Sequence, residues 1–327
     1  MYNFCTLFDT NYLSRGLAMY RSLENVCDNF HLYIFAFDSK CEFVLKSLNL
    51  KHATIISLFE FEDEELLKVK PTRNRGEYCW TSTSSTILYC IKKYNLPSCT
   101  YIDADLFFYS SPKPIFDELG NNSILLTEHR YTPKYDKSKI SGKYCVQFIT
   151  FKNDEVGLSA LKYWREKCLE WCYDRIEDGK FGDQKYLDDW TTRFPSVHSL
   201  TNLGSGVAAW NVQQYNFKTV NDKIFLIENN TNSKFEMIFY HFHYLRFYEN
   251  NKIEFGRRTL SNEVLNLFYK PYIKKLDEAK IEIDKIDYTL NSHGKSTQPK
   301  NWKTPILFLY RKLFGVYNIF EKEKFLS

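Results

Sequence analysis

Two aspartates one residue apart, Asp103 and Asp105, interrupt the apolar run Thr100-Tyr101-Ile102-Asp103-Ala104-Asp105-Leu106-Phe107-Phe108-Tyr109. A buried strand does not carry two like charges without a reason. Each desolvated carboxylate is costly unless it is paired or bound to a metal. Strand alternation puts both side chains on one side of the extended chain. Two hard oxygen ligands at a strand's C-terminal edge suit Mn2+ or Mg2+. A cation held by so few protein ligands shares its shell with a diphosphate, which points to nucleotide-sugar chemistry. An isolated Asp-x-Asp is common by chance, so its context decides. Residues 82–94 read as a helix, Pro97 breaks the chain, and the strand follows. The pair therefore closes a helix-turn-strand unit of an α/β sheet, where ligands gather at strand ends.

The elements that must position this pair alternate. Strands are expected at 4–8, 31–37 and 53–58. Helices are expected at 12–25, 41–48 and 60–70, the first with Leu17, Tyr20 and Leu23 at helical spacing. Such alternation predicts an α/β protein, a Rossmann-like, mainly parallel, doubly wound sheet flanked by helices, with the Asp-x-Asp strand as its fourth. Further strands are expected at 123–128 and 144–151, and helices at 157–174 and 183–190. The polar stretch 129–143 reads as a loop over the site. Composition shifts near residue 257. This divides the chain into a catalytic part, 1–257, and a helical C-terminal extension, 258–327. The extension holds a charged helix at 262–286, a polar linker at 291–300 and an aromatic, basic tail at 302–325.

Composition bounds the function. Lysine and arginine number 44 against 40 acidic residues, a net charge of +4 that does not argue for nucleic acid. Nine cysteines, an odd number without Cys-x-x-Cys pairs, read as a reduced intracellular chain. Cys168 and Cys172 lack a nearby histidine pair and read as buried thiols rather than zinc ligands. Neither a signal peptide nor an apolar run of about 18 residues is evident, so a cytoplasmic location is expected.

Four separated segments carry a resemblance. They are Phe8-Asp9-Thr10-Asn11-Tyr12, Tyr101-Ile102-Asp103-Ala104-Asp105, Gly182-Asp183-Gln184-Lys185-Tyr186-Leu187 and His241-Phe242-His243-Tyr244. In this order they resemble the GT-A-fold glycosyltransferases, and among those the glycogenin-like and lipopolysaccharide galactosyltransferase type, family eight. The resemblance covers roughly residues 1–250. It implies that Asp9, Asn11 and Tyr12 hold the uracil and ribose of a UDP-sugar. It implies that Asp103, Asp105 and His241 hold Mn2+ or Mg2+ on the diphosphate, and that Asp183 and Gln184 face the donor sugar. Retaining hexosyl transfer to a glycan, lipid-linked or protein acceptor is the activity it implies. Three departures stand out. Cys145-Val146-Gln147 replaces the family's Asn-Ala-Gly. The run Thr81 to Thr86 lacks the usual Arg. Tyr244-Leu245-Arg246-Phe247 replaces Gly-x-Lys-Pro-Trp, where Arg246 would take over the diphosphate contact.

Each residue also has a plainer reading. Asp9 and Asp183 both suit helix N-caps, and Tyr12 suits the core. His241 and His243 alternate on one strand face, so either can ligate; family position favours His241. Trp164, Trp171 and Trp190 read as core, whereas Trp80 and Trp210 suit stacking on a sugar. Gln147 and Gln184 suit sugar hydroxyls. The tail combines Lys303, Arg311, Lys312, Lys322 and Lys324 with Trp302, Ile306, Leu307, Phe308, Leu309, Leu313, Phe314 and Phe320. It fits either peripheral contact with the inner face of an anionic membrane or packing on its own domain or a second copy. Two rival functions use the same residues: a nucleotidyltransferase or phosphotransferase, and a non-catalytic nucleotide-sugar-binding module.

Overall fold

The computed structural model describes residues 1–299, 302 and 304–327. Three apolar N-terminal runs form parallel strands, β1 (Tyr2–Phe8), β2 (Phe30–Ala36) and β3 (Ala53–Ser57). The helices Leu13–Val26 and Ser39–Ser47 connect them; the Asp38 side chain caps the second by accepting from the Cys41 amide. The expected helix 60–70 is two short helices, Leu58–Phe61 and Glu64–Val69. The cause is local: the Asp63 side chain accepts from the Leu66 amide and starts a new N-terminus. The helix expected at 82–94 spans Arg75–Lys93, because Asn74 and Glu77 form a reciprocal capping box that nucleates it earlier.

That helix delivers the chain to β4 (Ser98–Ile102), which pairs in parallel with β1. A short strand, β5 (Leu106–Phe108), follows at once. Beyond it come β6 (Ile124–Glu128), β7 (Tyr144–Lys152) and β8 (Val197–Ser199). The main sheet runs β3-β2-β1-β4-β7-β6-β8. It is mainly parallel, with β7 antiparallel to both β4 and β6. Strand order reverses between β1 and β4, which is the switch point where open α/β sheets bind ligands. The second half adds β9 (Val207–Ala208), a meander of β10 (Tyr215–Val220), β11 (Lys223–Glu228) and β12 (Lys234–Glu236), then β13 (Phe239–His241). Strands β5, β13 and β9 form a small sheet. Last come β14 (Arg246–Phe247), β15 (Lys252–Glu254) and β16 (Ile319–Glu321).

Alternation along the strands divides the core by sheet face. Phe4, Ile34, Phe148 and Phe239 pack on one face, and Cys5, Phe35, Tyr101, Ile149, Trp164 and Trp190 on the other. Tyr272, Ile273 and Leu276 of the helix Lys270–Asp287 join the first cluster, and Arg21 pairs with Glu282 at 2.8 Å. The expected linker 291–300 is a packed turn as far as it is described. Ser292 and His293 are buried; the Ser14 amide donates to the Ser292 carbonyl at 3.1 Å, and His293 Nδ1 meets Ser14 Oγ at 2.8 Å. Polar composition suggests a linker, but His293 and the Ser292 backbone are tied to Ser14, Thr297 to Glu249 and Gln298 to Asn250. Lys300 and Lys303 lie outside the described residues.

Candidate active site

β4 ends at Ile102 and β5 begins at Leu106, so Asp103 and Asp105 occupy a tight turn rather than a strand. The turn is fixed by backbone bonds. The Asp103 amide donates to the Gln147 carbonyl at 3.0 Å, and the Leu106 amide to the Asp103 carbonyl at 3.2 Å. The Phe242 amide donates to the Asp105 carbonyl at 3.0 Å. Strand β13 pairs His241 directly with Leu106. The result brings the imidazole to both carboxylates: His241 Nε2 lies 3.1 Å from Asp105 Oδ1 and 3.7 Å from Asp103 Oδ2. One ligand atom from each of the three residues lies within 4.8 Å of the others. Two carboxylates and one imidazole, converging at a switch point, fit a hard or borderline divalent cation such as Mn2+.

The charges of this group are mutually dependent. Burial pushes Asp103 up to about 6 against the pull of His241. Burial also opposes the ionised form of Asp105, but the charge and hydrogen bond of His241 win and hold it at about 2. For His241 the same Asp105 contact overrides burial and raises the imidazole well above its ordinary value. His243 is not part of the ligand group. β13 stops at His241, and the His243 ring stands 5.6 Å from His241 and 5.6 Å from Trp210.

Asp183 is buried and lacks the capping bond expected of it. The expected helix 183–190 is a 3-10 turn, Gln184–Leu187, followed by the short helix Trp190–Arg193. Trp164 Nε1 holds the Asp183 carbonyl at 2.9 Å. Burial, and after it the charge of Asp103, lifts the Asp183 carboxyl to about 8. Both causes favour the neutral form of this carboxyl, which lies close enough to Asp103 to feel its charge. Gln184 is half-buried beside it. Gly182 precedes it at φ +53, with the Trp80 ring 3.4 Å from where a Cβ would stand. A side chain there would be strained by conformation and crowded by the ring.

Asp9 lies just past the end of β1. It does serve as a cap, accepting from the Asn11 amide at 2.8 Å, and it also pairs with Arg75. Tyr12 is not a core tyrosine, being 42% exposed, and the Arg15 guanidinium sits 4.6 Å over its ring. Asn11 is half-buried between them. Arg246 is exposed and stacks at 4.4 Å over Tyr244, outside the ligand group. Trp210 does not offer a free stacking face: it is buried, edge-on to His241, with Nε1 donating to the His129 carbonyl. Trp164 and Trp190 are core, as expected, and Cys168 and Cys172 are buried free thiols.

Two cations were missed in the sequence. Arg75 opens the helix before β4 and bridges Asp9 and Asp38. Arg15 is buried, donates to the Leu245 carbonyl at 2.9 Å and the His293 carbonyl at 3.0 Å, and helps keep Asp105 ionised. Only Arg75 had a signal, its place beside the Asn74–Glu77 capping box.

The reversed β1/β4 order, the lone antiparallel β7 and the Asp-x-Asp turn at the switch point define a GT-A fold. A solved structure of the galactosyltransferase LgtC, in complex with donor and acceptor sugar analogs, superimposes with a TM-score of 0.50. That match covers 92% of this chain and 99% of that one, at 10% identity, a likeness of fold. The chain belongs to the family of two uncharacterized proteins of Bacillus subtilis (strain 168), YfnF and YfnD. It is 35% identical to YfnF over 260 residues, 77% of this chain and 84% of that protein. It is 30% identical to YfnD over 297 residues, 89% of this chain and 88% of that protein. No protein-family model matches it.

Proposed function

We propose that this protein is a metal-dependent glycosyltransferase that moves a hexose from a nucleoside-diphosphate sugar, a UDP-sugar, to a glycan acceptor. The observation that carries the reading is the convergence of Asp103, Asp105 and His241 at the switch point of a GT-A fold. These three residues would hold Mn2+ or Mg2+, which supplies Lewis-acid stabilisation of the departing diphosphate. Asp9, Asn11 and Tyr12 bind the nucleoside, with Arg75 neutralising Asp9. Arg246, stacked on Tyr244 outside the ligand group, would have to turn inward to contact the diphosphate. Asp183, buried behind Gly182, and Gln184 beside it face the donor sugar. In this reading residues 1–257 carry the chemistry.

The extension, 258–327, presents the enzyme to its acceptor. The helix Thr304–Leu313 exposes Ile306, Leu307, Leu309, Tyr310 and Leu313, flanked by exposed Trp302 and Phe314. From Tyr288 to Phe320 the chain has no Asp or Glu. Among the described residues no helix is long and apolar enough to cross a membrane. An apolar face in a stretch without acidic residues suits the surface of an anionic bilayer, the cytoplasmic face in this proposal, and hence a lipid-linked acceptor. The test is a screen of donor hydrolysis with Mn2+ across UDP-, GDP- and CMP-sugars. Release of nucleotide from UDP-sugars only with added Mn2+ is expected; metal-independent release, or none from any donor, overturns the reading.

A further inference from the structure

We propose that Gln147 sets the tautomer in which His241 can ligate a metal. This rests on the metal reading above and adds a residue that the family resemblance does not supply. Gln147 stands in the middle of β7 and is fully buried. It touches both arms of the ligand group. Its backbone carbonyl accepts from the Asp103 amide at 3.0 Å, and its side-chain Oε1 lies 2.7 Å from His241 Nδ1.

An amide carbonyl can only accept, so the proton of this bond sits on Nδ1. The lone pair of a neutral imidazole is then on Nε2, the nitrogen that faces Asp105 and Asp103. Turning the amide around would present its NH2 to Nδ1, force the proton onto Nε2 and close the ligand position. Oε1 faces Nδ1, and Gln147 Nε2 has no hydrogen-bond partner among the described residues, so this bond is the one the side chain makes. The Cys145 thiol, on the same face of β7, also interacts with His241. A thiol both donates and accepts, so it does not choose a tautomer. Space for the amide is kept by Gly206 (φ +77): a Cβ there would stand 3.0 Å from Gln147 Nε2. Gln147 is thus a positioning residue that acts through His241.

The experiment is Mn2+ binding to the full chain without donor, followed by the electron paramagnetic resonance of free Mn2+. Gln147→Met keeps the side-chain volume and removes the acceptor. It should lower Mn2+ affinity by about tenfold to a hundredfold, as loss of an outer ligand partner does. Gln147→Glu, which still accepts from Nδ1, should retain binding. In a His241→Ala background Gln147→Met should cause no further loss, because its route to the metal is gone; a purely structural effect would persist there. Wild-type affinity in Gln147→Met, or full additivity with His241→Ala, overturns the role of Gln147 alone. A wild-type chain that takes up no Mn2+ overturns the metal reading with it. If Gln147→Met does not fold, Gln147→Glu decides: retained binding supports the acceptor role, and lost binding in a folded protein refutes it.

Discussion

Breaking the pair between Arg311 and Glu254 tests how the C-terminal segment is held. Arg311 Nη2 lies 2.8 Å from Glu254 Oε1, and both side chains are about 5% exposed. The same guanidinium donates to the Gly256 carbonyl at 3.0 Å, and Tyr248 donates to the other oxygen of Glu254. Substituting Arg311→Met keeps the apolar stem and removes the charge. A buried carboxylate then loses the one cation paired with it among the described residues and keeps the Tyr248 hydroxyl. Removing one partner of a buried pair costs about 3–5 kcal/mol, most of it the desolvation of the charge left behind. Since both groups here are buried and fully bonded, the upper half of that range is expected. Neutralising the survivor in Arg311→Met/Glu254→Gln should recover at least half of the loss, the Gly256 carbonyl keeping its bond from Asn318 Nδ2 at 3.3 Å. Urea unfolding of the three proteins measures this. A single substitution costing less than about 1 kcal/mol would show that water reaches Glu254 and that the pair is not buried in solution.

Other outcomes follow from the same geometry. Asp105→Ala should abolish Mn2+-dependent donor turnover and lower the thermal unfolding temperature of the metal-free protein, since it takes the ion-pair partner from buried His241; unaltered turnover would refute the ligand assignment. His241→Ala should weaken Mn2+ binding strongly and His243→Ala mildly, and the reverse order would place the wrong histidine in the group. Asp277 is half-buried, and although burial opposes its charge, hydrogen bonds from His293 and Lys322 hold it below its ordinary 3.8. Its folded value being depressed, it contributes stability above about pH 4 that is lost as pH falls through the folded value; Asp277→Asn should flatten that acid loss in urea unfolding between pH 6 and pH 3. Replacing Leu309 and Leu313 with Ser should reduce sedimentation with anionic vesicles and spare hydrolysis of a soluble donor, whereas an undiminished vesicle fraction would exclude the helix as the contact.

The site was more legible than its supports. Asp103 and Asp105 were placed correctly at the end of the fourth strand because helix, proline and apolar run are local signals. That they sit in a turn was not legible, since Leu106 to Phe108 read as a continuation; pairing with Phe239 to His241 far along the chain makes them a separate strand. The direction of β7 is likewise set by its neighbours, and its alternation reads the same both ways. Buried Arg15 and the packed turn at His293 escaped because composition reports polarity, while burial depends on partners hundreds of residues away. In the tail the apolar helical face is exposed as its pattern suggested, but Arg311 belongs to Glu254, and Phe325 is buried against Phe255.

Strand β16 has a consequence for how the chain is made. It pairs with β15, and residues close to it supply the cation for Glu254, yet the two strands leave the ribosome far apart in time. Until β16 emerges, β15 presents an unpaired edge, and Glu254 has no counter-charge. The nascent domain therefore waits in an aggregation-exposed, incompletely closed state during the synthesis of residues 255–321. Premature termination anywhere before Arg311 would release such a chain, and its open edge marks it for chaperone binding or degradation.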